Sequence, residues 1–62
     1  MHLTMKDTVK MRRMGYTLKA MYETAKGVPF PKYFTDKEEM SRFTVSEEKA
    51  GARLVAWAER SV

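Results

Sequence analysis

The sequence predicts an all-α fold: a small helical hairpin with a short extra helix in its connection, its thin core completed by dimerisation or by a partner. Three observations point that way. Met11, Met14, Leu18, Met21, Ala25 and Val28 recur at spacings of 3, 4, 3, 4 and 3, one apolar helical stripe. Met40, Phe43, Glu47, Ala50, Leu54, Trp57 and Ser61 keep the same spacing, with Thr44, Gly51 and Ala58 beside them at intervals of seven. Between the two stripes, Pro29 and Pro31 exclude a helix interior.

The first element is a long helix over about 6–26, starting near Thr4 or Asp7, with Asp7 complementing the positive helix terminus. Gly15 carries two signals. As a C′ glycine followed by the N-cap type Thr17 it would end one helix and start another. The unbroken 3–4 spacing favours one helix bent at Gly15, at a cost of roughly 1 kcal/mol relative to alanine. Gly27, with Lys26 before it and Pro29 after it, is a stop signal.

Residues 27–35 then read as an extended connector carrying Phe30, Tyr33 and Phe34. Thr35 and Glu38 match a capping box and start a short helix over about 36–42. A second box at Thr44 and Glu47 leads into a helix over about 46–60, with Glu47 and Glu48 in its first turn and Arg60 in its last. A rival β reading pairs Lys32–Thr35 with Arg42–Val45. It is the weaker one, because an isolated two-stranded ribbon is marginal in water.

At 62 residues the chain forms one domain at most. A domain of this size buries about 60% of the surface its unfolded chain exposes. Core burial alone then leaves about 3–5 kcal/mol, which gives weight to a homodimer or a larger partner. There is no cysteine, so disulfides and thiolate metal sites are excluded. The lone histidine, His2, cannot make a metal site by itself. No cofactor is expected. The N-terminal ten residues lack a signal-peptide apolar run, and the longest apolar run, Leu54–Ala58, is far short of a membrane span. These features predict a cytoplasmic protein that does not engage a membrane.

No catalytic constellation is present. A nucleophile needs a nearby base and an orienting group, and neither a cysteine nor a second histidine exists to supply them. The adjacent carboxylates Glu38/Glu39 and Glu47/Glu48 diverge around a helix and are explained by capping. The three glycines are isolated rather than grouped in a phosphate-cradling loop. The chain is therefore expected not to be an enzyme.

Charge is uneven. Residues 1–34 hold seven Lys/Arg against Asp7 and Glu23, whereas residues 35–62 hold five against six Asp/Glu. On a continuous helix, Lys6, Arg12, Arg13, Lys19 and Lys26 line one flank, suited to phosphates or to an acidic protein surface. Solvent-facing Lys and Arg that serve only solubility are the plain alternative.

Around Arg12–Met21, the run Arg-Arg-Met-Gly-Tyr-Thr-Leu-Lys-Ala-Met locally resembles the helix–Gly–aromatic–Ser/Thr–Leu–helix junction of helix-turn-helix regulators. That motif wants a small residue four before the turn glycine. Here the position is Met11 for Gly15 and Glu23 for Gly27, and Pro29 and Pro31 would interrupt a recognition helix after Gly27. A standard helix-turn-helix is thus not expected.

The predicted function is that of a small non-enzymatic regulator, adaptor or inhibitor docking on a larger protein with an acidic surface. Tyr16, Tyr22, Phe30 and Tyr33 are the candidate contacts together with exposed methionines, because aromatics dominate interaction hot spots and proline-flanked loops need little ordering. Lys6, Arg12, Arg13, Lys19 and Lys26 would steer the encounter. The alternative is a DNA-binding regulatory protein using the same basic face. A third reading is a subunit whose helices complete a larger assembly.

Overall fold

A computed structural model describes residues 1–60. It corrects the all-α expectation. The chain is α+β, with helix α1 (Met5–Met14), strands β1 (Leu18–Glu23) and β2 (Pro29–Phe34), helix α2 (Lys37–Lys49) and strand β3 (Arg53–Glu59). The strands form one antiparallel sheet in the order β2-β1-β3. The helical hairpin, and the description of the chain as helical, are both overturned by this sheet.

The expected helix over 6–26 stops at Met14. Thr4 caps α1, its side chain accepting from the Asp7 N–H while the Asp7 carboxylate accepts from the Thr4 N–H. Gly15 adopts φ +80°, the left-handed conformation only glycine takes cheaply, and the Tyr16 N–H bonds the Met11 carbonyl. The helical spacing of Leu18, Met21 and Ala25 is coincidental. What is buried is the alternation Leu18, Ala20, Tyr22. A period of two wins because β1 is hydrogen-bonded on both sides and covered on one face by α2.

Gly27 belongs to a hairpin turn rather than a helix end. The Thr24 N–H donates to the Val28 carbonyl (2.9 Å), and the Val28 N–H donates to Thr24 Oγ1 (3.1 Å). The Pro/aromatic connector is β2, Phe34 standing opposite Leu18 and Phe30 opposite Tyr22. Because Thr24 and Val28 form a hydrogen-bonded pair, alternate pairs along the ladder do so too. Pro29 and Pro31 fall on the intervening positions, where the missing N–H would face the free edge. The rival hairpin had a strand near 32–35 but the wrong mate, since Arg42–Val45 lies in α2.

The short helix and the start of the C-terminal helix are one element. Asp36, not Thr35, caps α2, accepting from the Glu39 N–H (2.8 Å). Thr44 continues the helix by returning its hydroxyl to the Met40 carbonyl (2.8 Å). The helix ends at Ala50, and Gly51 turns the chain at φ +94°, with Ala25 Cβ 3.2 Å from where a side chain would begin. Residues 53–59 then run as β3, not helix. Leu54 stands opposite Tyr22 and Ala56 opposite Met21, so Val55 is a bulge. Ser61, the end of the expected stripe, lies outside the described residues.

The core sits between the sheet and α2: Leu18, Ala20, Tyr22, Phe34 and Met40, with Phe30, Phe43 and Leu54 packed against it. Tyr22 is its centre, stacked on Phe30 and edge-on to Phe43 with ring centroids 5.4 and 5.2 Å away. Its hydroxyl is 2.7 Å from Thr44 Oγ1. Since Thr44 donates to Met40, Tyr22 supplies the proton of that bond. Replacing Tyr22 by Phe should lower unfolding free energy in urea by about 1 kcal/mol through the orphaned Thr44 acceptor. Tyr22→Ala should cost about 3–5 kcal/mol and leave the domain largely unfolded.

Candidate functional site

α1 lies across the sheet face that α2 does not cover. Lys19 and Tyr33 face each other across β1 and β2 on that side, and both reach Asp7 of α1. The Lys19 ammonium donates to Asp7 Oδ1 at 2.9 Å, and the Tyr33 hydroxyl donates to the same oxygen at 3.2 Å. Tyr16 stacks on Tyr33 at 5.6 Å, and Lys10 closes over the Tyr33 ring at 4.7 Å. Met11, one helical turn beyond Asp7, is fully buried. α1 is thus held by one buried methionine and one polar–aromatic cluster.

The hydrogen bond from Lys19 lowers the Asp7 carboxyl to about 2, with the Thr4 bonds adding to it and burial opposing it. The same bond raises the Lys19 ammonium above its ordinary value. Burial raises the Tyr22 phenol, against the hydrogen bond it shares with Thr44.

The opposite side of α1 faces outward and is apolar. There Met5 is 83% exposed and Val9 57%, while Met14, nearer the Met11 side at the last position of the helix, is 59% exposed. With Lys6, Lys10 and Arg13 they line one shallow groove along the helix. Arg12 is exposed on the same helix. The chemistry available is an unpartnered apolar strip edged by cations. Among the described residues no group of three His, Cys, Asp or Glu side chains converges to hold a metal ion, and no helix is long and apolar enough to cross a membrane.

The structure redistributes the residues singled out in the sequence. Lys6, Arg12 and Arg13 are exposed on α1, while Lys26 is exposed on the β1–β2 turn and belongs to no common helical face with them. Lys19 is half-buried and committed to Asp7, so the five-cation flank is corrected to a cluster on α1. Tyr22 is a core residue with no exposed surface, and Phe30 is half-buried against it, which corrects both as open contacts. Tyr16 and Tyr33 are half-buried in the cluster that seats α1.

Sequence reasoning passed over Met5, Val9 and Lys10. The i, i+4 spacing of Met5 and Val9 could have shown them, had the helix been ended at Gly15 and its two sides read separately. No family model matches this chain, and comparison with curated proteins and with solved structures finds no match.

The Asp7 geometry sets a pH dependence. A carboxyl held at about 2 when folded, against an ordinary 3.8, contributes stability that is present above that ordinary value and lost as pH falls toward 2. Thermal unfolding from pH 5 to pH 2 should show this loss in the wild type. Asp7→Asn should begin less stable at pH 5 and lose less over the same interval.

Proposed function

We propose that this protein is a small non-enzymatic adaptor, regulator or inhibitor that docks on a larger protein through the outward side of α1. One observation carries the reading. α1 is apolar on two sides: Met11 is buried toward the sheet, while Met5 and Val9, one turn apart, face away from it and are largely exposed. Unbranched Met side chains adapt to irregular partner surfaces. The cations Lys6, Lys10, Arg12 and Arg13 beside the strip suit a partner whose apolar groove has an acidic rim. The binding mode is a helix laid in a groove, anchored at i and i+4.

Phosphate binding by the same four cations is the second reading, favoured by their exposure on one short helix. It gives the exposed methionines no role, and for that reason it ranks below protein docking.

Two measurements separate the readings. Affinity capture with the wild type should enrich a partner that a Met5→Asp, Val9→Asp variant loses, the variant keeping the wild-type far-UV spectrum because both positions are exposed. Capture of the same proteins by both forms removes α1 as the contact surface. A mobility-shift titration with duplex DNA should show no salt-sensitive complex. Micromolar binding that falls steeply with salt would instead support the phosphate reading.

A further inference from the structure

The two free edges of the sheet are unlike. On β2, Pro29 and Pro31 delete the outward donors and block further pairing. β3 has no proline. The Arg60 N–H donates to the Thr17 carbonyl at 2.7 Å, so Ala58 and Ala56, in step with Arg60, turn their backbone toward β1. Trp57 and Glu59 therefore turn theirs outward, and among the described residues no hydrogen bond meets those groups. The Val55 bulge limits regular pairing to the second half of the strand.

We propose that β3 pairs antiparallel with β3 of a second copy, about a twofold axis at Ala58, joining two sheets into one of six strands. Ala58 then stands opposite the partner's Ala58. Trp57 and Glu59 exchange hydrogen bonds with the partner's Glu59 and the partner's Trp57, which uses the outward backbone groups in the correct alternation.

The register also matches charge. Trp57 lies on the α2 side of the sheet, opposite Ala20, and the Lys37 ammonium sits 5.6 Å from its ring centre. Lys37 has no carboxylate partner among the described residues, because Glu38 pairs with Arg42 and Asp36 caps α2. Glu59 has no cation partner among the described residues either. Pairing places the partner's Glu59 beside Trp57 and Lys37, at the positive end of α2. It also covers Trp57, which is 41% exposed in one copy. Because the β2 edge is blocked, assembly closes at two copies instead of propagating. The axis is perpendicular to the sheet, so both α1 helices emerge on the same face.

Sedimentation of the full chain over a wide concentration range should show the mass doubling from 7.2 kDa. Glu59→Pro copies the device of β2. It removes an outward N–H without touching the ladder to β1, and it should remain monomeric at concentrations where the wild type is paired. Glu59→Lys should weaken pairing at least about tenfold, and Lys37→Glu in the same chain should restore it. This rescue decides the matter if the proline variant fails to fold. The chain has no native cysteine, so Ala58→Cys should form a symmetric disulfide under mild oxidation while Val55→Cys does not. A monomer at every concentration, growth beyond two copies, dimers unaffected by both Glu59 variants, or no bond at Cys-substituted position 58 would each overturn the proposal.

Discussion

Everything in this small domain depends on β1 being the central strand. Its backbone is hydrogen-bonded to β2 on one side and β3 on the other, so its six residues must alternate between two faces. Leu18, Ala20 and Tyr22 face α2 and form the hydrocarbon and aromatic core. Lys19, Met21 and Glu23 face the other way, toward the side occupied by α1 and by the Arg53–Glu23 ion pair. A shift of one residue in this strand would exchange the two sets and bury two charges in place of a tyrosine.

The two helices are consequently attached by different physics. α2 is held by apolar burial, with the Tyr22–Thr44–Met40 hydrogen-bond chain satisfying the one hydroxyl that burial draws inside. α1 is held by a single carboxylate shared between Lys19 and Tyr33, by the Tyr16–Tyr33 stack, and by Met11. Because so little of α1 is needed for attachment, its remaining surface carries Met5 and Val9 outward among cations. The same economy governs the edges. Prolines close β2, while β3, whose register to β1 is already irregular at Val55, keeps donors and acceptors open at Trp57 and Glu59.

Local punctuation was legible in the residues. Thr4 and Asp7 mark a helix start, Gly15 and Thr17 a break, Gly27 a turn, and the Thr35–Glu39 stretch another start. The 3–4 spacing from Met11 to Val28 outweighed the break at Gly15, although Leu18-Lys19-Ala20-Met21-Tyr22-Glu23 satisfies a period of two as well. In Arg53–Glu59 the same ambiguity hid a strand inside an apparent helical stripe. Of the candidate contacts, the exposed α1 cations were visible as residue type and position. The burial of Tyr22 and the capture of Lys19 by Asp7 were not, since both depend on neighbours 22 and 12 residues away.

The residues by themselves determined the basic first half, the absence of cysteine, and the caps and turns that divide the chain. These are properties of single side chains or of neighbours within four residues. Only the tertiary structure decided whether an ambiguous segment became helix or strand. Strand ladders are formed with partners distant in sequence, and such pairing overrides local propensity when it buries a shared face. It also decided which side of α1 is covered and which edge of the sheet stays open, because a side chain or a backbone donor is free only once every other element has been placed.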